Sequence, residues 1–148
     1  MASFQIIVGS MLGGTEYVAE ACEETLTSLG HQVTVHLSPE FANIPQQDQI
    51  WLVCTSTHGA GDHPDNIQSF IYDLENSDQD LNHMPFFVIG IGDSNYDTFC
   101  EAAKKTRNTL ISKGCKELLP LLTLDMSTDI DPEELSQQWI CDHKDQLS

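Results

Sequence analysis

QIWLVCTSTHGAGDHPDN, residues 49–66, joins two unlike kinds of sequence at one point. The first six residues are almost wholly apolar and of strand length. The next twelve carry three consecutive hydroxyls, two glycines and the turn Asp62-His63-Pro64-Asp65. A continuous apolar run without alternation suits a strand covered on both faces, as in a parallel sheet. The segment after it has little that could pack and is costly to order. Its residue types point to a loop that holds something.

Working outward, "FQIIVG" (4–9), "HQVTVHL" (31–37), "FFVIGIG" (86–92) and "LLPLLTL" (118–124, interrupted by Pro120) supply four more strands. Between them lie helical patterns. Val18, Ala21, Cys22, Thr25, Leu26 and Leu29 share one face of a helix from Thr15 to Leu29, with Gly30 as the stop. Ile67, Phe70, Ile71 and Leu74 share another, and a third helix is predicted from Asp97 to about Lys113, ended by Gly114. Asp131-Pro132-Glu133-Glu134 starts a fourth, with a capping carboxylate, a proline at the first position and acids at the positive dipole end. Leu135 and Trp139 share its face. The connection over 38–48 reads as irregular.

Strand and helix alternate, which predicts an α/β fold: one domain, residues 1–148, with a doubly wound five-stranded parallel sheet in the order 2-1-3-4-5. That order places a ligand at the carboxyl ends of the strands, between the first and third. The unusual residues fall there, in "GSMLGGTE" (9–16), "TSTHGAGDHPDN" (55–66) and "GDSNYDTFC" (92–100). The first loop precedes a helix and offers backbone N–H groups plus the hydroxyls of Ser10 and Thr15, a phosphate cradle without a cation. The other two each bring a flat ring, His58 and Tyr96, beside glycines, as a planar heteroaromatic ligand requires.

Rival phosphate motifs are excluded. Gly9 and Gly14 have P-loop spacing, but Thr15 stands where the lysine must be. "GSMLGG" is not a dinucleotide fingerprint, and "GIGDSN" lacks its third glycine. A phospho-acceptor receiver domain would want an acidic pair after the first strand, where this chain has Gly9-Ser10.

Composition narrows the partners. Twenty-three acidic residues face six basic ones, a formal net charge of −17 in 148 residues. That field repels nucleic acid and anionic membranes, and it serves either solubility alone or an acidic docking face for a basic partner. Five cysteines without a C-x-x-C argue for a reducing compartment, and no zinc-type ligand spacing occurs. No apolar run reaches membrane length, and "MASFQIIVG" has no basic region ahead of its apolar residues. A cytoplasmic protein is expected.

"GSMLGGTEYVAE", "STHGAGDHPDN" and "GIGDSNYDTFC" together resemble the three FMN-binding loops of flavodoxin-like domains, in order and spacing along the whole chain. The resemblance is closest to the MioC-type short-chain flavodoxins and extends to the FMN domains of diflavin reductases. It implies one non-covalent FMN. Ser10, Met11, Leu12, Gly13, Gly14 and Thr15 would form the phosphate loop. Thr55, Ser56 and Thr57 would run along the phosphate, ribityl chain and ring edge, with Gly61 and Asp62 beyond them. Tyr96 matches the coplanar stacking aromatic. His58 stands where many relatives carry an aromatic on the inner face. Gly59 matches the residue whose carbonyl turns to accept a hydrogen bond from N5 of reduced flavin, a move that suits glycine's tolerance of positive φ. Gly92, Asp93, Ser94, Phe99 and Cys100 would complete the third loop, and Asp125 would lie near the ring.

The loop departs from the pattern at Met11-Leu12, where many flavodoxins have a hydroxyl at the second position. The loss of one hydrogen bond to a charged acceptor, ~1.5–3 kcal/mol, implies FMN binding weakened about tenfold or more. The resemblance implies an electron carrier. Its donor would be an NADPH-dependent flavodoxin reductase with a basic surface, and its acceptor another redox enzyme, with an iron–sulfur enzyme of biotin synthesis a candidate. The chain would act as a monomer. Two other readings stay open: a small FMN oxidoreductase acting directly on a quinone-like substrate, and a binding scaffold with an empty cleft.

Overall fold

The computed structural model describes residues 1–10 and 14–147. Strands β1 (Ser3–Gly9), β2 (Gln32–His36), β3 (Ile50–Ser56), β4 (Pro85–Gly92), β5 (Lys116–Glu117) and β6 (Leu122–Asp125) alternate with helices α1 (Gly14–Ser28), α2 (Asp65–Asn76), α3 (Glu101–Ser112) and α4 (Pro132–Asp142). All ladders are parallel, in the order β2-β1-β3-β4-β5, and β6 also pairs with β4. The doubly wound order expected from the sequence is the one observed.

Alternate residues of each central strand enter two different cores. Phe4, Ile6, Val8, Leu52, Cys54, Phe87 and Ile89 pack with Val18, Cys22 and Leu26 of α1 and Ile140 of α4. Ile7, Trp51, Val53, Phe86 and Val88 pack with Ile67, Phe70 and Leu74 of α2 and Leu110 of α3. Both faces are therefore dry, and the strands read as unbroken apolar runs. Fully burying each such side chain contributes ~1.5–3 kcal/mol.

The connection after β2, expected to be irregular, holds only a short 3₁₀ turn, Phe41–Asn43, while two other local features differ from the sequence expectation. That turn is pinned by Phe41, whose ring centroid lies 6.2 Å from Trp51 and 6.0 Å from Phe70; Trp51 Nε1 donates to the carbonyl of Pro45 at 2.9 Å. Helix α3 starts at Glu101 rather than Asp97, because Cys100 is left-handed, with φ +52°, and breaks the helical run before it. The predicted last strand is two strands, β5 and β6, both on β4. Pro120, which has no N–H for a ladder, lies between them. At the other helix ends the expectations hold: Gly30 has φ +94°, and Asp131 caps α4 by accepting from Glu134 N.

Candidate functional site

Parallel register brings the strand ends to one rim. Gly9 pairs with Thr55, Ser56 with Ile91, and Gly92 with Asp125. The loops after β1, β3, β4 and β6 therefore emerge side by side. Met11, Leu12 and Gly13 lie outside the described residues, and with them the missing hydroxyl at Leu12. On either side of them stand Ser10, half-buried, and Gly14 and Thr15 at the start of α1, with Thr15 buried. The Ser10 N–H donates to Asn66 Oδ1 at 2.9 Å. Asn66 Nδ2 donates in turn to the carbonyls of Val8 at 2.8 Å and Leu37 at 3.0 Å. One amide thus ties the ends of β1 and β2 to the start of α2. A side chain at Gly9 would drive its Cβ into Thr55 Oγ1, so the close approach of β1 and β3 here needs glycine.

In the second loop Thr55 is fully buried, and Thr57 Oγ1 accepts from the N–H of Ala102 at 3.0 Å, engaging the N-terminus of α3. His58 and Asp62 exchange backbone hydrogen bonds of 2.7 and 2.8 Å, closing a tight turn over Gly59, Ala60 and Gly61. Gly59 has φ +53° and Gly61 φ +102°, a backbone that accounts for both glycines. The β4–α3 segment holds this turn twice: Thr98 Oγ1 donates to the Gly59 carbonyl at 3.2 Å, and Lys105 Nζ donates to the Gly61 carbonyl at 2.8 Å. Beside it, His63 Nε2 lies 2.8 Å from Thr106 Oγ1. The Thr106 hydroxyl gives its one hydrogen to the Ala102 carbonyl, so His63 Nε2 must be the donor. Burial, then nearby Lys105, lower the His63 pKa and favour the neutral ring.

The third loop is tied to the last strand. Asp125 Oδ1 accepts from Ser94 N at 3.0 Å, Ser127 N at 3.0 Å and Ser127 Oγ at 2.7 Å. These Ser94 and Ser127 donors hold the carboxyl well below the usual carboxylate range, so a fixed negative charge sits at this rim. The Met126 N–H donates to the Gly92 carbonyl at 2.7 Å. Cys100 packs under the loop. A Cβ at Gly92 would lie 3.0 Å from its sulfur, and burial pushes its thiol up to about 11.

Between the second and third loops opens a cleft of about 440 Å³. Of the residues singled out in the sequence, Ser56, Thr57, Gly59, Gly92, Asp93, Tyr96, Phe99 and Cys100 line it. Thr55 lies buried beneath. His58, Gly61, Asp62, Ser94 and Asp125 are outside its lining, and His58 is exposed. Ile91, Thr98 and Met126 also line it and were not anticipated, nor were the Asn66, Lys105 and Ser127 contacts. For Asn66 a signal existed: an amide, both donor and acceptor, directly after the helix-starting Pro64-Asp65 at the strand-end rim. A larger hollow, about 660 Å³, lies at the opposite ends of β3 and β4, lined by 46–50 and 80–85, away from the glycine loops.

Residues 6–139 match the family described as Flavodoxin. The chain belongs to the flavodoxin family. It is 42% identical over 142 residues to the MioC homolog of Pasteurella multocida, covering 96% of each. A solved structure of a flavodoxin from Pseudomonas aeruginosa, a cysteine-to-alanine mutant, superposes with a TM-score of 0.89 at 31% identity, covering 98% of each chain. The likeness to reductase flavoproteins is also present: 33% identity over 146 residues to the sulfite reductase (NADPH) flavoprotein alpha-component of a Shewanella strain, spanning 97% of this chain and 23% of that one.

Membership makes this an FMN protein of an electron-transfer family. The cleft of this flavodoxin fits that cofactor. Ile91, Phe99 and Met126 give it apolar surface, Ser56 and Thr57 supply hydroxyls, and Tyr96 stands at its mouth, 68% exposed. Its volume lies in the ordinary range for small-molecule sites, ~300–1,000 Å³. Among the described residues no cluster of His, Cys, Asp and Glu could hold a metal ion, and no helix is long and apolar enough to cross a membrane.

Proposed function

We propose that this flavodoxin carries single electrons from an NADPH-dependent flavodoxin reductase with a basic surface to an acceptor redox enzyme. An iron–sulfur enzyme, such as one in biotin synthesis, is the candidate acceptor. The protein works as a cytoplasmic monomer. The observation that carries this reading is the open mouth of the cleft, where Tyr96 is exposed to any docking protein. FMN supplies one-electron chemistry when bound; the chain supplies the rest.

Ser10, Gly14 and Thr15 would hold the phosphate through N–H groups and the α1 dipole. Ser56 and Thr57 would follow the ribityl chain, with Thr55 buried beneath them, and Tyr96 would cover one face of the ring. The Gly59 carbonyl, in the lining of the cleft, would face the ring edge. The Asp125 carboxylate and the net charge of −17 disfavour additional negative charge on the ring, which strengthens the fully reduced protein as a donor. The same charge draws in a basic reductase.

Rapid mixing of the FMN-loaded protein with NADPH and a purified flavodoxin reductase tests this. Reduction requiring the reductase, and slowing as salt rises, is the expected result. Rapid reduction of a small quinone by NADPH with no reductase present would replace this reading with that of a direct oxidoreductase.

A further inference from the structure

The turn over Gly59, Ala60 and Gly61 is held unevenly. At Gly61 the grip is firm: a cationic donor at 2.8 Å, and Glu101 Cγ 3.0 Å from where a Cβ would stand. At Gly59 it is loose. The neutral Thr98 hydroxyl donates at 3.2 Å, and no atom lies within 4 Å of a Cβ built there. Charge-assisted bonds are about twice as strong as neutral ones. The turn is therefore held more firmly at Gly61 than at Gly59, whose carbonyl is released when a single weak bond breaks.

We propose that Thr98 is a positioning residue that latches the Gly59 carbonyl in the oxidised protein and thereby sets the first one-electron potential. This rests on the reading that Gly59 faces the flavin edge. With FMN bound, one electron from a reductant such as dithionite and one proton from water would give an N–H at the ring edge for the Gly59 carbonyl to accept, and the Thr98 hydroxyl would give up that carbonyl and bond to water. No covalent bond of the protein changes. The latch stabilises only the starting state, so it opposes the first electron and leaves the second untouched.

The test is anaerobic dithionite titration of the FMN-loaded wild type, Thr98→Val, Thr98→Ser and Gly59→Ala, followed optically. The oxidised dissociation constant and the melting temperature are measured beside it. The bond is long and exposed, so losing it predicts a first-electron equilibrium constant about twofold higher in Thr98→Val. That is ~20 mV at 59 mV per tenfold for one electron. The second potential stays fixed, and Thr98→Ser behaves as wild type. Thr98→Ala keeps the test in force should valine not fold. Weaker FMN binding with both potentials unchanged would make Thr98 a structural residue only and overturn the latch. If Gly59→Ala shifts the first potential while Thr98→Val does not, the latch fails and the Gly59 reading survives. If neither does, the Gly59 reading falls as well.

Discussion

Asn66→Ala removes the amide that joins three backbone segments at the rim. It deletes the bonds to Ser10 N at 2.9 Å, to the Val8 carbonyl at 2.8 Å and to the Leu37 carbonyl at 3.0 Å. A typical intramolecular hydrogen bond contributes ~0.5–1.5 kcal/mol net. The Leu37 bond is exposed, so water replaces much of it, whereas the other two are partly buried. The sum is a loss of ~2–3 kcal/mol. At roughly 2–4 °C per kcal/mol for a domain of this size, the melting temperature falls by about 4–12 °C. FMN binding weakens too, because Ser10 loses its orientation at the edge of the phosphate loop; a change of about 1.4 kcal/mol corresponds to about tenfold. Asn66→Asp separates the two effects. Its carboxylate still accepts from Ser10 but donates to neither carbonyl and puts negative charge beside the phosphate. It should therefore bind FMN less well than the alanine variant. Thermal melts of the flavin-free protein and fluorescence titration with FMN give both numbers. An alanine variant that melts and binds as wild type would refute the clamp.

Four further outcomes are expected. Gly90→Ala places a Cβ 2.7 Å from Ala103 Cβ; overpacking of ~1–3 kcal/mol should lower the melting temperature, and Ala103→Gly should restore part of it, unless α3 shifts freely. Tyr96→Ala removes the exposed ring at the cleft mouth and should weaken FMN binding about two- to tenfold, given ~0.5–1.5 kcal/mol for aromatic stacking beyond area burial; unchanged affinity in the same fluorescence titration would remove its stacking role. Iodoacetamide at about pH 8 should label exposed Cys141 and leave Cys100, whose thiol is buried and raised to about 11; mass spectrometry reads the labelled site. His63 has a lowered pKa in the fold, so the unfolded chain binds its proton more readily. Its stabilising effect is complete above the ordinary value of 6.5 and is lost as pH falls below that. His31 and His36 act in the same direction, so His63→Gln should flatten, not abolish, the acid-side slope in denaturant midpoints.

How much of this could be read from residues alone depends on the range of the interaction. The sheet was legible because each central strand feeds two cores, and an unbroken apolar run such as 50–54 is seldom anything but a strand covered on both sides. Topology followed from alternation, and with it the convergence of three loops on one rim. Local backbone exceptions were not legible. Nothing in "SNYDTFCEAA" marks Cys100 as left-handed, so the residues favour a helical start at Asp97. The helix begins later because the chain must turn sharply to lay the cysteine sulfur against Gly90 and Gly92. Pro120 did mark the broken last strand.

The interior of the site was the least legible part. What holds the loops around the cleft is a set of bonds from side chains to carbonyls of other segments: Asn66 to Val8, Thr98 to Gly59, Lys105 to Gly61. Such bonds join positions 39 to 58 residues apart and leave no periodicity. A hydroxyl or amide in a loop has many possible partners, and spacing does not choose among them. The glycines showed where the backbone bends; only the fold shows which neighbour holds each bend. The two tethers of the second turn differ in charge and length, and that difference leaves the Gly59 carbonyl the more weakly held at the mouth of the cleft.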